Sequence, residues 1–394
     1  MVKPENKPKP EDLVAQDRKS AKAAERAERQ TRNKAEREAR RMERRAAREA
    51  QRATEPGEAA FAPAAQDQRA FNILVIAQHG RLAFEAALFC ASLRLNAPDW
   101  KGRLIVAEPL EEGVWKGAQT RLSPAERSLI ESYGAEITPF AARHFGRSYP
   151  YGNKIEALQL LPPGAPFIFF DSDTVVTGPI DQLKIDFTRP TASMRRTGTW
   201  PQPPLYGPGY DEIWISLYDR FGLDFASSLD TEQPDEHWER YLYFNAGWFL
   251  GPDPKIFAER FLNYALAIRE TPGEALACQS LDPWLDQVAL PLVIHALGGG
   301  RPGPELDDLD GDMTCHYRTV SLLYARESEA ALQTVETILA RPAFAPILAE
   351  WPQVQEMVLQ GTGRETVRPL FDRSQALDEA RTRHVLKKMG LWQR

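Results

Sequence analysis

From Phe71 onward, short continuous apolar runs alternate with helix-period patterns. Asn72-Ile73-Leu74-Val75-Ile76-Ala77 reads as a strand buried on both faces, because a strand covered on one face alone would alternate with polar residues. A helical pattern runs from Leu82 to Leu95 and stops at Asn96-Ala97-Pro98. Gly102 to Ala107 reads as a second strand. Ser123-Pro124-Ala125-Glu126 combines an N-cap, a proline at the first helical position and a capping-box glutamate, so a helix starts there and ends before Gly134. Ala135 to Thr138 is a third strand, Asn153 to Leu161 a further helix, and Phe167-Ile168-Phe169-Phe170 another buried strand. Beyond Tyr324 the pattern becomes helical over Glu327–Leu339, Ala343–Glu350, Val354–Leu359 and Ala376–Met389. This alternation predicts an α/β domain with a mostly parallel sheet. In such sheets ligands bind beyond the carboxyl ends of the strands.

The first 70 residues have a different texture. They carry 18 basic and 13 acidic side chains, a net of +5, whereas the remaining 324 carry 31 and 42, a net of −11. Residues 1–12, with Pro at 4, 8 and 10, are expected to be disordered. Ala15 to Ala53 is almost only Ala, Arg, Glu, Lys and Gln, all strong helix formers, and it has no apolar stripe for a coiled coil. Residues 54–70 read as a linker. The division expected is therefore a charged extension over 1–70, a catalytic domain over 71–325 and a helical segment over 326–394. The basic arm is either a solvated extension or an electrostatic tether to an anionic membrane surface; specific nucleic-acid binding is not expected. No apolar run approaches the ~20 residues of a membrane span. Three scattered cysteines fit no zinc or disulfide spacing, which suits a reducing, cytoplasmic setting.

The residues just past the buried strands are chemically specific. Asp171-Ser172-Asp173 comes directly after Phe170. Two carboxylates at i and i+2 repel on a continuing strand. At a strand end both can face one hard cation, Mn²⁺ or Mg²⁺, although such a pair also occurs as a solvated turn. Downstream, Tyr243-Phe244-Asn245-Ala246-Gly247-Trp248 embeds an amide and a glycine in an apolar strand. A buried Asn must be hydrogen-bonded, and a strand glycine marks close approach by a ligand or the backbone. Asp286-Gln287 sits on a helix or turn, and Cys315-His316-Tyr317-Arg318 comes after an acidic loop.

In order and spacing these pieces resemble the GT-A nucleotide-sugar transferases, most closely glycosyltransferase family 8, over roughly residues 71–320. Lys154 precedes Asp171 by 17 positions and Asn245 follows it by 74, as in that family. The resemblance implies a Rossmann-like GT-A fold with helices on both faces of the sheet. It also implies hexosyl transfer, with retention, from a nucleotide-diphosphate sugar to a carbohydrate, lipid or protein acceptor. Asp171, Asp173 and His316 would hold Mn²⁺ or Mg²⁺. Lys154 would contact the donor, Ala77 and Gln78 would meet the base, and Asn245, Asp286 and Gln287 would line the sugar and acceptor pocket. The family's Gly-x-x-Lys-Pro-Trp after the histidine is replaced here by Tyr317-Arg318-Thr319-Val320-Ser321, which gives Arg318 the phosphate role. An aromatic, Pro-rich segment over 190–240, with Trp200 and Tyr206, is the candidate acceptor loop. Two other readings compete: a haloacid-dehalogenase-type phosphatase with Asp171 as nucleophile, and a non-catalytic scaffold.

Overall fold

The computed structural model describes residues 70–195, 199–372 and 378–392. The basic arm, its linker and the first residues of the last expected helix lie outside them. The described residues belong to one compact unit.

Among the described residues, eight strands form two sheets. β1 (Asn72–Ile76), β2 (Leu104–Pro109), β3 (Glu136–Phe140), β4 (Phe167–Phe170), β6 (Thr191–Ser193) and β7 (Asn245–Gly251) make a six-stranded sheet in the order β3-β2-β1-β4-β7-β6. Strands β3, β2, β1 and β4 run parallel, and β7 lies antiparallel to both β4 and β6. β5 (Thr174–Val176) and β8 (Thr314–His316) form a separate antiparallel ribbon. The α-helices of seven or more residues are α1 (Arg81–Asn96), α2 (Pro124–Ser132), α3 (Tyr210–Arg220), α4 (Pro254–Glu270), α5 (Leu285–Ala296), α6 (Val320–Arg326), α7 (Glu329–Leu339) and α8 (Glu379–Lys388).

The uninterrupted apolar strands arise because both faces of the sheet are covered. Along β1, Ile73 and Val75 enter one hydrophobic core, while Leu74 and Ile76 enter the other. The first core contains α1 and apolar side chains of α7, and the second contains those of α4 and α5. Each fully buried Leu or Phe stabilises the fold by about 2 kcal/mol. Every residue of α1 from Ala83 to Leu93 is buried, as expected for a helix covered on all sides, yet Glu85 is among them. The capping box at α2 is present: Ser123 accepts from the Glu126 amide, and the Glu126 carboxylate accepts from that of Ser123.

Three strands start later than the apolar pattern predicts: β2 at Leu104, β3 at Glu136 and β7 at Asn245. Gly102 lies just before β2 because the chain there presses on the Phe71 carbonyl, where any side chain would overlap the backbone. Helix α6 begins before Tyr324, with the Thr319 hydroxyl capping the Leu322 amide.

Candidate active site

The Asp171–Asp173 segment crosses between the two sheets. At the end of β4 the Asp171 amide still donates to the Gly247 carbonyl at 2.8 Å, extending the pairing with β7. Ser172 turns inward and its hydroxyl donates to the Ile76 carbonyl of β1. The chain then enters β5, where Thr174 pairs with His316 of β8. Both carboxylates therefore face the same opening as the imidazole. His316 Nε2 lies 3.0 Å from Asp173 Oδ1 and 4.0 Å from Asp171 Oδ2. One ligand atom from each of the three residues lies within 4.8 Å of the other two. The Asp171 side chain is 27% exposed, Asp173 17% and His316 13%, so the cluster is open on one side.

The electrostatics separate the two acids. Burial pushes the Asp173 carboxyl up, but His316, Arg81 and Arg318 outweigh it and hold the group well below the usual carboxylate range. Burial and the Asp173 charge raise Asp171 against the pull of Lys154. Burial lowers His316, but Asp173 more than reverses this, and the imidazole pKa is raised. Asp173 thus favours the protonated form of the imidazole beside it. Two carboxylates and an imidazole form a donor set that fits Mn²⁺ or Mg²⁺.

Lys154 lies behind this opening. It is buried at the start of the one-turn helix Asn153–Glu156. Its ammonium lies 2.8 Å from Asp171 Oδ1, 3.3 Å from Asp286 Oδ2 and 3.1 Å from the Ala246 carbonyl, over the Phe169 ring. Burial lowers its pKa, but Asp171 and Asp286 reverse this and raise it. Asp286, in the first turn of α5, is only 2% exposed. Its other oxygen accepts from the Tyr149 hydroxyl at 2.7 Å, and its backbone amide donates to the Tyr149 hydroxyl oxygen at 2.9 Å. Lys154 and Asp286 are thus brought together with the Asp pair, but as a buried layer beneath it.

The embedded amide and glycine of β7 have separate explanations. Asn245 donates to the Arg195 carbonyl at 2.8 Å and accepts from the Gly247 amide at 3.1 Å, so its polar groups are satisfied. Gly247 is small because the His316 ring lies against it; a Cβ there would overlap the imidazole. The close approach expected of a strand glycine is made by a side chain of the site itself. Gln287 accepts from the Tyr243 hydroxyl at 2.8 Å. Ala77 is buried at the end of β1 and bonded to the Ala107 carbonyl. Gln78 beside it keeps a buried Oε1 with no hydrogen-bond partner. Both lie at the sheet edge that the Ser172–Ile76 bond ties to the Asp pair. Arg318 has a left-handed φ of 66°, a strained conformation for a non-glycine residue, and its guanidinium pairs with Glu379 of α8 at 3.3 Å.

Three residues join the site that sequence reasoning did not identify. Tyr149 orients Asp286. Arg81 reaches to 3.8 Å from Asp173 Oδ2, and Glu85 holds Arg81 at 2.8 Å. A legible signal for the last pair was a carboxylate amid the apolar run of α1.

Comparison with known proteins bears on which chemistry this geometry serves. No curated protein matches the chain in sequence. The solved structures that are similar at low identity include three glycosyltransferases. The galactosyltransferase LgtC in complex with donor and acceptor sugar analogs is 13% identical, with a TM-score of 0.40 over 69% of this chain and 98% of that one. The bifunctional glycosyltransferase WbbM is 12% identical, with a TM-score of 0.40 over 71% and 51%. GlyE of Streptococcus pneumoniae is 12% identical, with a TM-score of 0.38 over 73% and 65%. The model of the Rhodobacterales glycosyltransferase domain matches residues 73–298, a span that holds the Asp pair, Lys154, Asn245, Asp286 and Gln287. With more than half of its length matched, and with transferase chemistry thereby selected over the phosphatase reading of the Asp pair, the chain belongs to the Rhodobacterales glycosyltransferase domain family.

Proposed function

We propose that this glycosyltransferase moves a hexose from a nucleotide-diphosphate sugar to a carbohydrate, lipid or protein acceptor, using a divalent cation held by Asp171, Asp173 and His316. The convergence of these three side chains at one opening between the two sheets carries the reading. Bound there, Mn²⁺ or Mg²⁺ supplies Lewis-acid stabilisation of the charge on the departing diphosphate. Asp171 and Asp173 anchor that charge centre, and Lys154 fixes the orientation of Asp171. The three N–H donors of Lys154 face Asp171, Asp286 and the Ala246 carbonyl, so in this proposal it positions the cluster rather than touching the donor. Asp286, held by Tyr149, completes that layer. Ala77 and Gln78 meet the base at the end of β1, and Asn245 and Gln287 line the sugar and acceptor side. The likeness to family 8 extends the proposal to retention of anomeric configuration.

Turnover of a panel of UDP-, GDP- and CDP-sugars tests this directly. Donor hydrolysis or transfer is expected with Mn²⁺, to be lost with EDTA and to return with added metal. The product anomer read by NMR should match the donor's. Turnover insensitive to EDTA would overturn the metal role.

The basic arm extends the proposal to location. Among the described residues no helix is long and apolar enough to cross a membrane. We place the enzyme in the cytoplasm, held peripherally at the inner membrane face by residues 18–52, where 14 basic side chains meet 6 acidic ones. Removing residues 1–60 should abolish pelleting with anionic vesicles at low salt and leave donor turnover intact. If the full chain does not pellet, the arm has no membrane role.

A further inference from the structure

The nucleoside diphosphate that departs carries more negative charge than one divalent cation offsets, and the Asp pair already neutralises part of that cation's charge, so a further positive side chain beside the cluster is favoured. Lys154 is committed beneath it, with all of its donors directed at protein oxygens. Arg318, the phosphate-binding residue expected from the sequence, is ion-paired with Glu379, which also accepts from Arg326 and Arg383 at 2.9 Å each.

Arg81 is placed differently. It opens α1, its side chain is 42% exposed, and its Nη1 lies 3.8 Å from Asp173 Oδ2. Among the described residues its hydrogen bonds, to Glu85 at 2.8 Å and the Arg318 carbonyl at 3.4 Å, both leave from Nη1. Nη2 and Nε remain for an incoming anion, in the fork geometry that suits phosphate oxygens. Behind it, Glu85 is buried in the apolar face of α1 with its second oxygen lacking any hydrogen-bond partner. A buried, half-satisfied carboxylate opposes stability, and its presence one turn below Arg81 is explained if it fixes the guanidinium. The helix start adds to the positive field. The N-cap Gly80 has no side chain to occupy the first amides, and the space around it is open.

We propose that Arg81, positioned by Glu85, is the residue that binds the donor's diphosphate beside the Asp171–Asp173–His316 cluster. The assignment rests on the nucleotide-sugar reading above, and it predicts effects of opposite sign that a merely structural role would not produce. In the full chain, Arg81→Gln should weaken binding of UDP, GDP or CDP in the presence of Mn²⁺ by about tenfold or more. It should leave binding of the matching nucleoside, followed by ligand-observed NMR, unchanged. It should also tighten Mn²⁺ alone, titrated by electron paramagnetic resonance without nucleotide, because a competing cation is gone from beside Asp173. Arg81→Lys, which keeps the charge but not the fork, should fall between wild type and Arg81→Gln, and Glu85→Gln should lose part of the diphosphate affinity. Wild-type diphosphate affinity in Arg81→Gln, or equal losses of diphosphate, nucleoside and metal binding, overturns the assignment. So does a selective diphosphate loss found in Arg318→Gln and not in Arg81→Gln. If the wild-type chain binds none of the diphosphates with Mn²⁺, the nucleotide-sugar reading itself fails and takes the assignment with it.

Discussion

Asp173→Asn should abolish Mn²⁺ binding and lower sugar transfer by about a thousandfold, since ~4 kcal/mol of transition-state stabilisation is what a bound cation of this kind supplies. Asp173 is the carboxylate that the site holds ionised, with His316 3.0 Å away and Arg81 3.8 Å away. An amide of the same shape keeps the packing and removes the charge. Calorimetric metal titration and transfer assays with Mn²⁺ check this, and turnover undiminished in Asp173→Asn would remove the metal mechanism. The metal-free chain should also show a pH signature. The raised His316 pKa contributes stability that is fully present below the ordinary histidine value of about 6.5 and is lost as pH rises through the folded-state value. The lowered Asp173 pKa contributes stability present above about 3.9 and lost as pH falls through its folded-state value. Asp173→Asn should therefore destabilise the metal-free protein at pH 5 and have a smaller effect at pH 9.

Lys154→Met should lower the stability of the metal-free protein by about 3–5 kcal/mol, because Asp171 and Asp286 are left partly or wholly buried without their counter-ion. The side-chain volume is nearly kept, so lost packing contributes little. Two conditions should restore part of the loss. Acidification protonates the stranded carboxyls, and Mn²⁺ replaces the missing charge at Asp171. Urea denaturation at pH 7 and pH 5, each with and without metal, measures all of these effects. Stability equal to wild type at pH 7 would mean that the three charges do not act as a unit.

Much of the fold was legible because its causes are local or periodic. β1 and β4 lie between two cores, and a strand in that position has no polar face to interrupt its apolar run. The cap of α2 needs only four consecutive residues. The Asp pair was singled out by its place directly after a buried strand and His316 through the family resemblance, and the fold brings the three side chains together. The buried layer was not legible in the same way. Lys154 was found through a resemblance, yet its three partners come from the end of β4, from β7 and from α5, and only tertiary packing brings them together. Arg81 precedes the helical pattern and Glu85 lies within it, and nothing within α1 says that its first turn faces Asp173. The start of α6 was missed although Thr319 is a good N-cap, because the apolar pattern that identifies a helix is strongest after Tyr324.

The contact between Gly247 and the His316 ring has a consequence for reading related sequences. A glycine in the middle of a central strand weakens that strand, so selection for stability alone would replace it. Here an alanine Cβ would meet an imidazole belonging to a different sheet, so the ring would have to shift. A side chain at position 247 and the imidazole at 316 therefore compete for the same space. A relative that has lost the histidine no longer needs the glycine, and a larger residue at that strand position would mark a chain in which the proposed metal site is dismantled, even where both aspartates remain.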